Sequence, residues 1–271
     1  MRNWTDLRKR VLTAAVLGPA ALLCMWLGAH WWAALMALCV AGLAWEWVKL
    51  CGGSTGDLPG AAVAPFILAA GAAAVLGQPA LGLLILGLGS AVTWYAATRT
   101  IGARPFWLAF GVLYIGLSGV ALIALRHDDI VGRDNVIFLF LVVWASDIAA
   151  YVAGRSLGGP KLAPGISPNK TWSGAIGGLF GASAVGFAAA LMLGPGGSPI
   201  RMVLVSAMLG IATQSGDMLE SWIKRRFGVK DSSGLIPGHG GLLDRLDGVL
   251  AAAPLAALIG VASGPGVHLW R

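Results

Sequence analysis

Apolar runs long enough to cross a bilayer recur from one end of the chain to the other, separated only by short polar stretches. A spanning helix needs about 20 mostly apolar residues to match the hydrocarbon thickness. Backbone polar groups in that layer must bond within the segment, so such runs fold as helices. The chain is therefore expected to be an all-α polytopic integral membrane protein with about nine transmembrane helices. The expected spans are residues 11–28, 31–48, 60–77, 79–98, 104–125, 135–153, 172–194, 200–219 and 246–264. With 57% hydrophobic and 11% charged residues, the 271-residue length does not signify two soluble domains. The basic start followed by an apolar run resembles a secretory signal. No small-residue cleavage site follows, and a second apolar segment begins at once, which predicts a retained first helix.

Lys and Arg orient these spans, because cytoplasmic loops carry an excess of them. With the N-terminus inside, fifteen of the nineteen, from Arg2 to Arg245, fall in cytoplasmic segments. Arg126, Arg133, Arg201 and Arg271 fall outside. The asymmetry predicts a cytoplasmic N-terminus and a C-terminus on the outer side. Two cytoplasmic loops are long and polar, 154–171 and 220–245, and both lie in a C-terminal region, 136–271, distinct from the N-terminal helices of 1–135. Long Gly-rich loops that return to a membrane usually carry function. Cys24, Cys39 and Cys51 lack paired spacing and read as small apolar side chains. Among the twelve tryptophans, Trp31, Trp32 and Trp270 suit interfacial anchoring. His30, His127 and His268 are expected on the outer side.

Carboxylates occur where hydrocarbon disfavours them. Asp147, Asp217, Asp244 and Asp247 all lie in or near the cytoplasmic ends of apolar spans. An ionised group at the bilayer centre costs about 2.5–3.5 kcal/mol or more, so such residues face protein or water and are functional by default. Asp244 and Asp247, three residues apart, share a helix face. Converging carboxylates repel unless a cation lies among them, and hard oxygen ligands suit Mg²⁺ bound together with a substrate phosphate. The alternative is that Asp244 caps the last helix while Arg245 neutralises Asp247. Lys224, Arg225, Arg226 and Lys230, with Lys161 and Lys170 on the other loop, either attract anionic lipid or, beside flexible glycine backbone, cradle a polyphosphate. His239 is open between phosphate binding, metal binding, base catalysis and loop geometry. Ser167, Asn169 and Thr171 either coordinate phosphate or cap the following helix. Glu46, near the cytoplasmic end of the second span, is read as structural, paired with a basic side chain or lining a cavity.

The run Ser221, Ile223, Lys224, Arg225, Lys230, Asp231, Ser233, Ile236, Pro237, His239, Gly240, Gly241, Leu242, Asp244, Arg245, Leu246 and Asp247 resembles the signature of the phosphatidate cytidylyltransferases, or CDP-diacylglycerol synthases. "QSGDMLES", "SDIAAYVAGR" and "ISPNKTWSG" resemble companion segments, so the likeness covers residues 144–250. It implies cytidylyl transfer from CTP to phosphatidic acid, giving CDP-diacylglycerol and pyrophosphate in phospholipid biosynthesis. It further implies Mg²⁺ with K⁺ as a second ion, a homodimer among membrane lipids, and a multi-pass protein of a bacterial plasma membrane with its active site at the cytoplasmic face. By this resemblance Asp217 and Asp244 are the metal ligands. Asp247, Lys224 and Arg245 join them in catalysis. Lys170, Thr171, Ser221, Arg225, Lys230, Asp231, His239, Gly240 and Gly241 bind substrate. Ser173 stands where the family often has Glu. Two alternatives compete. One is another membrane lipid phosphotransferase, although the D-G-x2-A-R pattern of CDP-alcohol phosphotransferases is not met. The other is a transporter, although the carboxylates gather at one face and not at the midplane. No nucleic-acid polymer is expected as a partner.

Overall fold

The computed structural model describes residues 4–127, 130–192, 198–264 and 266–270. Arg2 and Arg271, both counted in the charge asymmetry, lie outside them. The described residues form helices α1 (Trp4–Leu27), α2 (Ala29–Leu50), α3 (Leu58–Val75), α4 (Pro79–Thr98), α5 (Pro105–Leu125), α6 (Val131–Leu157), α7 (Trp172–Met192), α8 (Pro199–Arg226) and α9 (Leu243–Ser263). Proline stands in the first turn of α3, α4 and α5, where its missing N–H has no intrahelical partner to lose. Eight of the helices, α2 to α9, are long and apolar enough to cross a membrane, and the chain is an all-α polytopic membrane protein. The expected first span coincides with the shorter apolar part of α1, Val11–Leu27.

Two boundaries differ from the sequence expectation in ways that matter. α8 does not stop at residue 219 but continues through Arg226. "SWIKRR" contains no helix breaker, its basic residues suit the negative end of the helix dipole, and the chain turns only at Gly228, with φ 71°. Loop 154–171 is also shorter than expected. α6 runs to Leu157, and Gly158 (φ 62°) and Gly159 (φ 100°) release the chain into a hairpin, β1 (Lys161–Ala163) antiparallel to β2 (Ser167–Thr171).

The chain divides into two compact units, Met1–Asp129 with Arg226–Leu246, and Ile130–Arg225 with Asp247–Arg271. The second glycine-rich loop therefore packs with the N-terminal helices, although sequence order places it in the C-terminal half. In the first unit α5 is central and mostly buried. Its Gly111 faces the fully buried Trp47 of α2, whose indole N–H donates to the Trp107 carbonyl at 2.8 Å. Trp32, expected at an interface, is instead 3% exposed, and its indole N–H donates to the Leu122 carbonyl at 3.0 Å. An indole that finds a carbonyl inside the bundle no longer needs a wet surface.

In the second unit α6 and α7 pack through small residues. Gly174, Gly178, Ala182 and Gly186 recur every four residues as the buried stripe of α7, and Gly174 and Gly178 lie against Ala150 of α6. Between apolar helices in lipid, such backbone approach replaces the hydrophobic drive available in water. The C-terminal tail closes on α6: the Leu269 N–H donates to Asn135 at 2.9 Å, and Trp270 packs on Phe138 with ring centroids 4.6 Å apart. Trp270 is thus buried in the protein and not an interfacial anchor. His268 lies 3.4 Å from Asp134.

Candidate active site

The polar centre of the second unit is built where α8 and α9 touch. A Cβ at Gly216 would stand 2.7 Å from the Ala251 Cβ and 2.5 Å from the Asp247 carbonyl oxygen, so only glycine lets the two backbones meet. The contact presents three carboxylates to one another: Asp217 and Glu220, three apart on one face of α8, and Asp247 of α9. One ligand oxygen from each lies within 4.8 Å of the others. Glu220 is fully buried, and its carboxylate pairs with Lys224 at 3.1 Å, one turn along the helix. Lys170, projecting from β2, reaches Asp217 at 2.5 Å. The Ser221 hydroxyl lies 3.5 Å from Asp217, and Asp247 accepts the Gly248 N–H at 2.8 Å. Three carboxylates against two ion-paired lysines leave the cluster net negative. Hard oxygen donors at this spacing, short of positive charge, fit a divalent cation such as Mg²⁺.

Beside the cluster opens a cavity of about 520 Å³, lined among others by Asp147, Arg155, Asn169, Lys170, Thr171 and Asp217. Thr171 is buried and caps α7, its hydroxyl accepting the Gly174 N–H at 3.1 Å. Ser173, in the place of the common Glu, bonds to the Thr171 hydroxyl at 2.9 Å and to the Gly158 carbonyl, so it ties the helix start to the hairpin. Arg225 donates to the Ile166 carbonyl at 3.3 Å and anchors the hairpin from the other side.

The first unit holds the glycine-rich loop, and a carboxylate nearly two hundred residues away organises it. Glu46 is 0% exposed and accepts four bonds. The Leu242 and Leu243 N–H groups donate at 2.8 and 2.7 Å, the Ser232 hydroxyl at 3.4 Å, and the Ser233 hydroxyl also donates. The two N–H groups belong to the unsatisfied donors at the start of α9. Asp244, which the family resemblance pairs with Asp217 as a metal ligand, has its carboxylate engaged within this unit. It accepts the Ser232 N–H at 3.0 Å and the Gly241 N–H at 2.9 Å, and shares with Glu46 the single proton of the Ser232 hydroxyl, 3.1 Å away. Gly241 is buried against the Ser232 hydroxyl and Glu46, with no room for a side chain.

Lys230, Asp231, His239, Gly240 and Arg245, all expected at the substrate, line a polar cavity of about 380 Å³ with Gly238. Arg245 also donates to the His239 carbonyl at 2.9 Å, closing the turn in which Gly238 and Gly240 take φ of 77° and 87°.

Of the expected residues, Asp217, Asp247, Lys170, Lys224 and Ser221 come together in the second unit. The third acid of their cluster is Glu220, which sequence reasoning missed by ending the helix at residue 219. Its signal was the three-residue spacing from Asp217 within a helix that has no reason to stop. Glu46 is structural, as expected, but its partners are backbone N–H groups and serine hydroxyls.

The sequence profile of the Cytidylyltransferase family matches residues 8–262. A phosphatidate cytidylyltransferase of Brucella suis is 41% identical over 261 residues, covering 94% of both chains. One of Pseudomonas aeruginosa is 35% identical over 274 residues, covering 96% of this chain and 99% of its own. One of Haemophilus influenzae is 34% identical over 278 residues, covering 92% and 96%.

Proposed function

The chain belongs to the cytidylyltransferase family, and from that premise we propose that the carboxylate cluster of α8 and α9 and the cavity beside it are where its reaction takes place. The protein is an enzyme that transfers the cytidylyl group of CTP to phosphatidic acid, giving CDP-diacylglycerol and pyrophosphate in phospholipid biosynthesis. The match along nearly the whole chain favours this over a CDP-alcohol phosphotransferase or a transporter.

The chemistry asks little of a base and much of positioning. A phosphate monoester is largely dianionic near neutral pH, so its oxygen attacks the α-phosphorus of CTP without prior deprotonation by the protein. A new P–O bond forms as the bond to pyrophosphate breaks, in line, between two anions that must be held together. Lys170 and Lys224 set positive charge beside the acids and are the groups to meet the phosphates. Asp217, Glu220 and Asp247 would hold Mg²⁺, with K⁺ as the second ion that the resemblance implies. When bound, Mg²⁺ supplies charge neutralisation and alignment of phosphoryl oxygens. Asp244 serves by fixing the glycine-rich loop, whose Lys230, His239 and Arg245 make a cationic, hydrogen-bonding cavity of the kind a polyphosphate requires. His239 acts there in binding. The site faces the cytoplasm, a reading supported by the bias of Lys and Arg toward one set of loops, and the plasma membrane and the homodimer are what the family resemblance implies.

The observation that carries the proposal is the convergence of three carboxylates with Lys170 at the edge of one cavity. Purified protein should convert radiolabelled CTP and phosphatidate to CDP-diacylglycerol only with divalent cation. Asp217→Asn, Glu220→Gln and Asp247→Asn should each lose at least 100-fold in turnover while eluting as folded protein in detergent. Calorimetry should show weakened Mg²⁺ binding. Wild-type turnover by any of the three would remove that residue from the centre.

A further inference from the structure

A second, larger groove of about 840 Å³ runs along the outside of α7 and α8 in the same unit. Its walls are almost wholly apolar, and its two ends differ in character. At one end stand Trp172, the first residue of α7, and Trp222, near the end of α8. They are 55% and 44% exposed, and Leu162 and Ile166 of the hairpin lie beside them. Toward the other end lie Leu179 and Ile211. Leu179 is seven residues beyond Trp172, about 10 Å along a helix, and Ile211 is eleven residues before Trp222, about 16 Å. The groove therefore leads from a tryptophan-flanked mouth deep into the apolar span, and aromatic residues of this kind mark a membrane–water boundary.

What distinguishes this groove from an ordinary lipid-facing surface is its neighbour. Leu162, Ala175, Gln214 and Met218 line both the groove and the polar cavity that holds Lys170 and Asp217. Gln214 stands at the divide, where its amide donates one N–H to the Ala175 carbonyl at 3.2 Å. Met218, unbranched and polarizable, adapts to a guest of variable shape. Cavity and groove together form one amphipathic slot with cation and carboxylate at one end and hydrocarbon walls at the other. The groove's volume of about 840 Å³ leaves room for one acyl chain.

We propose that this groove seats one acyl chain of the phosphatidate whose phosphate lies at Lys170, and that Leu179 and Ile211 at its far end set the preference for chain length. The proposal rests on the phosphatidate reading above, and its test separates the two. Leu179→Trp and Ile211→Trp fill the far end with side chains that a lipid-facing helix tolerates. Each variant and the wild type are assayed with dioleoyl and with dihexanoyl phosphatidate in detergent micelles. The ratio of kcat/KM for the long over the short substrate should fall at least tenfold in both variants. An unchanged ratio overturns the groove assignment, whether activity falls in parallel on both substrates or stays as it was.

A second measurement does not depend on turnover. Phosphatidate carrying a diazirine at the end of one chain, photolysed with the Asp217→Asn protein, should label peptides within 172–182 and 208–222. Labelling spread over all lipid-facing helices, as bulk lipid gives, overturns the proposal. So does loss of a chemically crosslinked dimer in the Trp variants with unchanged chain-length selectivity, which would make this face an interface between copies. Failure of the wild type to consume CTP with either phosphatidate would instead sink the functional reading.

Discussion

Glu46 offers the sharpest test of how the loop is held. In Glu46→Gln the side chain keeps its size, but one oxygen becomes an NH₂ group. The two carboxylate oxygens each accept a backbone N–H, Leu242 on one and Leu243 on the other. Whichever way the amide turns, its NH₂ meets a donor, so one buried N–H is left without an acceptor. An unsatisfied buried donor costs about 1–3 kcal/mol. At 1.4 kcal/mol per factor of ten, the population of the opened loop rises roughly 5- to 150-fold. The serine hydroxyls of residues 232 and 233 can rotate to accept, so they do not add a second orphan. Hydrogen exchange followed by mass spectrometry in micelles should show faster exchange across residues 230–243 and unchanged exchange in the hairpin peptide 161–171. Glu46→Ala, which removes both acceptors, should exceed Glu46→Gln in the same peptides. Equal protection in wild type and both variants would refute the claim that Glu46 fixes this loop.

Two further outcomes follow from packing and burial. Gly216→Ala places a methyl against the Asp247 carbonyl and Ala251 of α9. Overpacking of this kind costs about 1–3 kcal/mol, so the melting temperature should fall and CTP turnover should fall further than stability alone dictates, because the carboxylate spacing widens. Wild-type values of both would show that the α8–α9 approach is not what sets the cluster. Burial pushes the Cys51 thiol up to about 12, against a smaller opposing pull from Arg104. A raised thiol pKa lowers the thiolate fraction, the reactive form, and the greater nucleophilicity of the remaining thiolate offsets only part of this, so at pH 8 maleimide should label Cys51 at least about tenfold more slowly in folded than in denatured protein. Equal rates in the two states would contradict its burial.

Several residues of the candidate site are legible in the sequence. Asp217 and Asp247 drew attention because hydrocarbon penalises them, and Lys170 and Lys224 because they flank glycine-rich loops. Glu220 escaped because a hydropathy-based boundary ended α8 where polarity began, whereas a helix ends where its backbone is broken. Asp244 illustrates the opposite case. Sequence spacing aligns it with Asp247 on one face of α9, and the capping alternative was already open. Which of the two its oxygens serve depends on Ser232 and Gly241, residues that local pattern cannot bring to it.

The helical type and approximate placement of the spanning elements were determined by the sequence alone, because burial of backbone in hydrocarbon leaves the helix as the only self-sufficient answer and hydropathy is a local property, while the true ends of α6 and α8 were not. Pairwise meetings were decided by tertiary structure: Glu46 with the start of α9, Lys170 with Asp217, and the α8–α9 contact at Gly216. Each joins positions 30 to nearly 200 residues apart, and only the packing of whole helices, not the pattern within any one, brings their side chains within reach.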